Sequence, residues 1–340
     1  MWYNAKRLLV HPHTLTDVVV SVSCSASSSG TLHPRDYAHG IKGVGVKIFF
    51  MKKVFFVVLA SFLVFFFASQ KVRAFSFAVI GDTQKFKAGP RSVLRKAALN
   101  IKAANVDFSV MLGDFCPSYN KCASKLKKWE EVASPLFPKI YPTHGNHDAV
   151  SASEWQATFN PPLNGPEGYV GWTYSFDHEN SHFVVIDSDR SSWHLVDQTQ
   201  RDWLEQDLAA TTKENIFVFL HEPAFPTGKK IGSCLDANPT ERDAFWQILD
   251  EFDVTAVFSG HEHIFSRQLI DSSVFSGAKN SIYQFGVGNT DSYAHPKPRR
   301  PVEYYYRQKS YLIVRVDGEK ITTDLYTPKG KLLNSFSFSK

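Results

Sequence analysis

Outside its first 74 residues, the chain lacks an excess of charge of either sign. The whole sequence has 38 basic and 33 acidic residues, a formal net charge of +5. Nine of the basic residues but only two of the acidic ones precede position 75, so the remainder has 29 basic and 31 acidic residues and a net charge of −2. A generally basic surface, the usual basis for binding nucleic acid, is therefore excluded for this part, and no nucleic-acid partner is indicated.

The sequence after Phe75 also lacks internal repeats, low-complexity tracts and linkers. Apolar residues make up 43% of the chain and aromatic residues 14%, which is ample material for a buried core. This composition excludes a disordered chain. We predict a single globular domain over residues 75–340.

No apolar run reaches the length of about 20 residues that a membrane-spanning helix needs. The uncharged run at residues 54–68 follows Met51-Lys52-Lys53 and leads to Ala74. A short basic head, an apolar stretch and a small residue at the exit are typical of a secretory signal peptide. We predict a signal peptide at residues 51–74 that is cleaved after Ala74, with an uncleaved membrane anchor as the alternative.

The predicted signal peptide has two consequences for the rest of the chain. Because such a peptide operates at an amino terminus, residues 1–50 are interpreted as a non-native extension upstream of a true start at Met51. The mature protein is expected to be exported, to a periplasmic or extracellular compartment. Membrane contact is expected only through the signal sequence or the alternative anchor.

Cysteine is scarce, and three of the four cysteines fall in the predicted mature chain, at Cys116, Cys122 and Cys234. An oxidising compartment would allow them to pair. Cys116 and Cys122 close a short loop directly after Asp114, where a disulfide would stiffen the segment. Free buried thiols are the alternative, because spacing does not reveal connectivity.

Short apolar strands alternate with amphipathic helices after Phe75. The pattern predicts strands at 75–80, 107–112 and 139–143, separated by helices at 91–104 and 121–133. This β-α-β-α-β order implies parallel strands with helices packed across them. Further strands are predicted at 172–176, 183–187, 216–220 and 254–259, helices at 197–210 and 240–252, and mostly alternating β pattern from 264 to 340. We predict an α/β fold with two packed, mostly mixed β-sheets flanked by helices.

Polar residues follow several of the predicted strands immediately, often beside glycine. They are Asp82, Asp114, Asn146, His221 and His261. Because the carboxyl ends of parallel strands lie along one edge of a sheet, these side chains are expected to converge. Carboxylate, amide and imidazole groups together suit Mn, Fe or Zn. Two ions about 4 Å apart can share one carboxylate, and Asp114 is the predicted shared ligand.

Five short motifs carry a resemblance to a known family. In chain order they are Gly81-Asp82-Thr83-Gln84, Gly113-Asp114, Gly145-Asn146-His147-Asp148, His221-Glu222-Pro223 and Gly260-His261-Glu262-His263. The sequence resembles the calcineurin-like metallophosphoesterases over residues 75–288, and its tail fits the closing strands of that family. The resemblance implies a four-layer α/β/β/α sandwich and two divalent or mixed-valence metal ions.

The resemblance also implies roles for individual residues. The first metal would be held by Asp82, Asp114 and His263, and the second by Asp114, Asn146, His221 and His261. His147 would be the general acid and, with Asn146, would bind the substrate, while a hydroxide between the metals attacks phosphorus. Asp148 is grouped with His147 in the catalytic set, but in a supporting role. Asp148 and Glu262 are each expected to hydrogen-bond a metal ligand.

Gln84 departs from the commoner Asp-x-His form of the first motif. Its amide carbonyl is a weaker ligand than imidazole, so the resemblance makes Gln84 a candidate ligand of the first metal without fixing the identity of that metal. Tyr119 is considered as a ligand of the purple acid phosphatase type, but its spacing from Asp114 is two residues too long for that role.

The expected activity is hydrolysis of a small phosphorylated substrate, with a phosphomonoesterase favoured over a phosphodiesterase or nucleotide-diphosphate pyrophosphatase. An inactive metal-binding recognition protein is the alternative of another class. The loop at residues 295–301 is interpreted as solvated surface, with a phosphate-binding loop as its alternative. Most tryptophans are expected in the core, with only Trp155 and Trp193 considered as pocket walls. The sequence does not indicate an oligomeric state.

Overall fold

The computed structural model describes residues 73–89, 91–117, 122–189 and 194–340. The predicted upstream extension and residues 51–72 of the predicted signal peptide lie outside this range, as do Tyr119 and Trp193. Within the described residues, no helix combines the length and the apolar character that crossing a bilayer requires.

Thirteen strands are described in these residues, and they form two sheets. In chain order they are β1 (Phe75–Ile80), β2 (Phe108–Met111), β3 (Ile140–Pro142), β4 (Tyr174–His178), β5 (Ser181–Val185), β6 (Asn215–Leu220), β7 (Ala256–Ser259), β8 (Phe265–Ile270), β9 (Ile282–Val287), β10 (Tyr304–Tyr306), β11 (Tyr311–Asp317), β12 (Lys320–Tyr326) and β13 (Leu332–Ser339).

Both sheets are mixed, as predicted. The first sheet has the order β13-β12-β11-β1-β2-β3, in which β1, β2 and β3 are parallel and β11 lies antiparallel to β1. The second has the order β10-β8-β9-β7-β6-β5-β4, in which β5, β6, β7 and β9 are parallel. The parallel strands at the centre of each sheet point their carboxyl ends to one edge, which is the arrangement a strand-tip site needs.

In the described part of the chain, five α-helices cover the outer faces of the sheets. They are α1 (Val93–Ala103), α2 (Cys122–Ala133), α3 (Ala152–Phe159), α4 (Gln198–Ala210) and α5 (Pro239–Glu251). Ser92 and Asp197 cap α1 and α4, since each side chain accepts a backbone N–H of the first turn. Helix α3 was not predicted, although Ser151 and Glu154 form a capping box at its start.

The core consists of three apolar clusters, one between the sheets and one under each helical layer. The cluster between the sheets is rich in phenylalanine: the ring of Phe77 on β1 stacks on Phe108 and meets Phe183 of the second sheet edge-on at 5.3 Å. The outer clusters contain helical residues, including Trp129 on α2 and Trp246 on α5. The layers therefore follow the order α/β/β/α, as the resemblance implied.

Two details of the prediction were wrong. The hairpin of β4 and β5 is tighter than predicted: only Glu179 and Asn180 separate the strands, because His178 and Ser181 already pair across the turn. Trp155 is not a pocket wall. It is 1% exposed, packs in the cluster beneath α3 and donates its indole N–H to the carbonyl of Gly171.

Candidate metal centre

The ends of β1, β2, β6 and β7, with the segment after β3, bring the predicted ligands to one place between the sheets. Ligand atoms of Asp82, Asp114 and His221 lie within 4.8 Å of one another, and all three residues are buried. His221 follows a strand of the second sheet, yet its Nδ1 bonds the carbonyl oxygen of Leu112 in the first sheet at 2.7 Å. The donor set is thus shared by the two sheets.

Asp114 lies at the centre of the donor set. Its Oδ1 is 3.5 Å from Nε2 of His221 and accepts the backbone N–H of His147 at 3.0 Å. Its Oδ2 accepts the Gln84 amide at 2.9 Å and lies 4.0 Å from Nε2 of His147. Each oxygen therefore faces a different part of the predicted ligand set, which is what a carboxylate shared by two ions requires.

Backbone carbonyls orient all three candidate histidine ligands. Nδ1 of His221 donates to Leu112, Nε2 of His261 to Ser233 at 3.2 Å, and Nδ1 of His263 to Tyr293 at 2.9 Å. A neutral imidazole that donates from one nitrogen presents a lone pair on the other. The backbone thereby turns one lone pair of each ring toward the centre.

The nitrogen lone pairs point at the remaining predicted ligands. Nε2 of His221 lies 3.0 Å from Nδ1 of His261 and 3.1 Å from Oδ1 of Asn146. Three acceptor atoms at such distances repel one another unless a proton or a cation lies between them. Burial lowers the pKa of His221, but the charges of Asp114, Asp189 and Asp82 outweigh it and raise that pKa to about 10. The surroundings therefore favour positive charge at this point, which a metal ion would supply in place of the proton.

Asp82, Gln84 and His263 form the other half of the centre. Nε2 of His263 lies 3.2 Å from both Oδ1 of Asp82 and Nε2 of Gln84. Oδ1 of Asp82 and Oε1 of Gln84 are both buried, and neither accepts a hydrogen bond of adequate geometry. Burial raises the pKa of Asp82 against the opposing effect of His263. Buried acceptors without donors are costly, so this half of the site also fits a cation.

Strained backbone and two glycines bring the ligands close together. Asp82, Asp114 and His261 have φ angles of 50°, 58° and 63°, a region that costs a non-glycine residue about 1–3 kcal/mol. A Cβ atom at Gly145 would lie 2.7 Å from Oδ1 of Asp114, and one at Gly260 would lie 2.6 Å from Oδ2 of Asp82. The glycines of these motifs therefore leave the space in which the carboxylates lie.

Asp148 holds the backbone around Asp114 in place. Its buried carboxylate accepts the backbone N–H groups of Asp114, Phe115, Cys116 and Gly145 at 2.8–3.1 Å. Burial and the charge of Asp114 raise its pKa to about 7, whereas the four donors favour the ionised form. Asp148 thus positions Asp114, as the sequence reading of a supporting role predicted.

His147 lies at the rim of the donor set. Its side chain is 30% exposed, unlike the fully buried ring of His221. Burial of part of the ring, together with the charges of His221 and His263, lowers the pKa of His147. The ring is both close to Asp114 and open to solvent, so a substrate on the metal centre would reach it.

Several residues around the centre were missed by sequence reasoning. The ring of His295 stacks on that of His263 with centroids 4.1 Å apart, and its Nδ1 accepts the backbone N–H of His263. Glu222 is buried and bonds Nδ1 of His194 at 2.7 Å, and burial raises its pKa to about 7. His144 bonds the carbonyl oxygen of Asp148 at 3.0 Å. Glu222 is within one of the five motifs and His144 directly precedes another, but His194 and His295 lie far from them in sequence.

A four-layer sandwich with carboxylate, amide and imidazole donors at its strand tips has the ligands that a metal-dependent hydrolase needs. The family model for calcineurin-like phosphoesterases matches residues 75–265, more than half of the chain, and the chain belongs to that family. The family binds a dinuclear metal centre, and membership of it supports a phosphoric ester hydrolase. No curated protein matches the chain.

Solved structures share the fold at low sequence identity. The purple acid phosphatase PPD1 of yellow lupin (Lupinus luteus) has a TM-score of 0.63 and 13% identity over 78% of this chain and 54% of the lupin chain. This chain thus spans about half the length of the lupin enzyme. GAP50 of Plasmodium, described as the anchor in the inner membrane complex, has a TM-score of 0.55 and 15% identity over 78% of this chain and 89% of its own. A dimetal phosphatase of Danio rerio has a TM-score of 0.52 and 15% identity over 78% of this chain and 98% of its own.

Proposed function

We propose that the protein is an exported phosphomonoesterase that acts on small phosphorylated molecules with two ions drawn from Mn, Fe and Zn. The observation that carries the proposal is the joint placement of the donor set and His147. Asp82, Asp114 and His221 lie together, the other four candidate ligands contact them or one another, and a partly exposed imidazole lies 4.0 Å from the Asp114 carboxylate. Asp82, Gln84, Asp114 and His263 would hold one ion, and Asp114, Asn146, His221 and His261 the other.

The chemistry divides between the ions and the chain. When bound, the ions would supply Lewis acidity at the phosphoryl oxygens and a water molecule of lowered pKa. Asn146 and His147 would orient the phosphoryl group at the rim. His147 would then give its Nε2 proton to the departing oxygen, and the hydrogen bond from its backbone to Asp114 keeps it in place.

Export is supported by two features. The segment at 51–74 has the order of a signal peptide. Cys116 and Cys122 form a disulfide, with Cα atoms 5.4 Å apart, and such bonds persist in oxidising compartments. We propose a periplasmic or extracellular location, and amino-terminal sequencing of the secreted protein tests it. A mature chain that begins at Phe75 is expected, whereas one that keeps residues 51–74 would indicate an anchor.

The activity is tested by hydrolysis of an aryl phosphate and of a bis-aryl phosphodiester after loading with Mn, with the metal content measured on the same samples. We expect turnover of the monoester, faster than that of the diester, and complete loss on chelation. Faster turnover of the diester would favour the phosphodiesterase alternative, because selectivity lies in the loops over the metals. Two bound ions without turnover of either ester would favour the non-catalytic recognition protein.

A further inference from the structure

Two basic loops flank the metal centre on the side of His261 and His263. One is the segment 227–230, and the other is the segment 295–300. Four cations of these loops form what we call the cationic shelf: Lys229, Lys230, Lys297 and Arg299. Lys230 is half-buried and the other three are exposed.

The first loop is fixed to the centre by Glu262, which lies between the two histidines in sequence. This carboxylate is 3% exposed and accepts the backbone N–H groups of Thr227, Gly228 and Lys230 at 2.6, 2.7 and 3.3 Å, with the Thr227 hydroxyl at 2.8 Å. Its oxygens are therefore occupied by the backbone and hydroxyl donors of the loop. A fixed loop places its cations without a large entropic cost when a ligand binds.

The second loop is fixed both to the centre and to the first loop. The backbone N–H of His295 donates to the carbonyl oxygen of His263 at 3.1 Å. The backbone N–H groups of Arg299 and Arg300 donate to the carbonyl oxygen of Thr227 at 2.8 and 2.9 Å. The two loops thus form one surface next to the ligands of both proposed ions.

The shelf cations differ from Arg300 in that no carboxylate of the described residues forms an ion pair with them. Arg300 is used structurally, since it pairs with Asp236 at 3.2 Å and donates to the carbonyl oxygen of Pro226. Within residues 73–89, 91–117, 122–189 and 194–340, none of the four shelf cations has an ion-pair partner. This contrasts with the net charge of −2 over residues 75–340.

We propose that the cationic shelf binds a second phosphate of the substrate, so that the preferred substrates are small organic molecules with two phosphate groups, one on the metal centre and one on the shelf. This inference rests on the proposed phosphoesterase function and names the substrate class. A Lys or Arg side chain that lacks an acidic partner is a suitable phosphate ligand, and a shelf beside the metals is the place that a second phosphate would reach.

The test compares hexanediol bisphosphate with hexyl phosphate, which differ in one phosphate group, on the purified metal-loaded protein. We expect the wild type to prefer the bisphosphate. Lys229→Ala/Lys230→Ala and Lys297→Ala/Arg299→Ala should each lower kcat/KM for the bisphosphate roughly tenfold, mainly through KM, with a much smaller loss for hexyl phosphate. The wild-type preference should also weaken as salt is raised, because salt screens exposed charges.

Lys320→Ala is the matched control. Lys320 begins β12, beside the end of β11, and β11 runs antiparallel to β1, so this lysine lies at the opposite end of the first sheet from Asp82. We expect this variant to treat both substrates as the wild type does.

A binding measurement separates failure of this inference from failure of the proposed function. Calorimetric titration with hexane bisphosphonate and hexyl phosphonate, which cannot be hydrolysed, should show tighter binding of the bisphosphonate and loss of that difference in the shelf variants. If neither phosphate ester is hydrolysed, the proposed function is wrong, and the titration still tests whether the shelf binds a second phosphate. If the esters are hydrolysed but the shelf variants affect both alike, the shelf inference is wrong and the phosphoesterase function stands.

Discussion

His147 is the residue at which the proposed chemistry is most open to test. A general acid matters most for a poor leaving group, because a good one departs without a proton. We expect His147→Ala to lower kcat for an alkyl phosphate by roughly 100- to 10,000-fold and that for nitrophenyl phosphate by much less. Steady-state rates on both substrates, with saturating Mn, measure the difference.

The metal content of the His147→Ala protein is the control for this prediction. His147 is not a proposed ligand, so the variant should bind the same number of ions as the wild type. Equal losses on the two substrates would argue against proton donation and for a role in phosphate binding alone.

Substitution of Gly145 tests whether metal binding depends on the close approach of its backbone to the Asp114 carboxylate. The Cβ atom of Gly145→Ala would lie 2.5 Å from the backbone nitrogen of Asp114 and 2.7 Å from its Oδ1, so the shared carboxylate must shift. We expect the affinity for Mn to fall roughly tenfold or more, as it does when the support of a ligand is disturbed. Competition with a fluorescent chelator measures the affinity.

Gly228→Ala is the matched control for Gly145→Ala. Its Cβ atom would meet nothing closer than Oε1 of Glu262 at 3.4 Å, an ordinary contact. An equal loss of affinity in the two variants would show that the affinity for Mn does not depend on the space that Gly145 leaves beside Asp114.

At the scale of elements, the disulfide joins the segment after β2 to the start of α2. Cys116 also donates its backbone N–H to Asp148, which holds Asp114. A bridge that closes so short a loop stabilises the fold by about 2 kcal/mol in the chain-entropy model. We expect a reductant to lower the free energy of unfolding by about that amount, as measured by urea unfolding.

The double variant Cys116→Ala/Cys122→Ala serves as the reference for this measurement. It should unfold at the same urea concentration with and without reductant. A wild-type protein that is equally indifferent to reductant would contradict the prediction.

His182 links strand β4 to helix α4 through hydrogen bonds to two carboxylates. On β5, its ring bonds Asp177 of β4 at 2.7 Å and Asp207 of α4 at 2.8 Å. Burial lowers the pKa of His182, but the hydrogen bonds and charges of Asp207 and Asp177 outweigh it, and the pKa is raised above its ordinary value of 6.5. A raised pKa means that the stabilisation is fully present below the unfolded value and is lost as the pH rises through the folded value.

We therefore expect the difference in free energy of unfolding between the wild type and His182→Gln to be largest near pH 6 and to shrink as the pH rises above the folded pKa. Urea unfolding across this range measures the difference. A difference that does not change with pH would indicate that the ring acts through neutral hydrogen bonds only.

For the whole molecule, the strands and most helices could be predicted because local pattern determines them. Strands buried on both faces read as apolar runs, and the Gly-Asp pairs after β1 and β2 mark where they end. The position of β11 beside β1 could not be predicted, because a pairing across more than 200 residues leaves no local pattern. The eight residues of α3 were too few to show helical spacing, although the capping box at Ser151 was visible in the sequence.

In the candidate site, too, the features with a local sequence pattern could be predicted and those that depend on distant contacts could not. Side-chain donors at strand tips could be predicted, since residue type and strand end are both readable. The carbonyl oxygens of Leu112, Ser233 and Tyr293, which orient the histidine rings, could not, because every residue has a carbonyl and only the fold decides where it points. The contact of His295 with His263 likewise depends on how the later loops return to the centre.

The division of the donor set between the two sheets links metal supply to the survival of the molecule. Ions that bind only the assembled sandwich fasten one sheet to the other, and a hundredfold excess over the dissociation constant would add about 2.7 kcal/mol to the folded state. We expect the melting temperature and the resistance to proteases to rise with free Mn and to fall in a chelator, as differential scanning calorimetry and timed digestion would show. A melting temperature indifferent to Mn would mean that the ions do not join the sheets. If Mn does raise the melting temperature, surroundings poor in these ions would shorten the lifetime of the protein as well as lower its turnover.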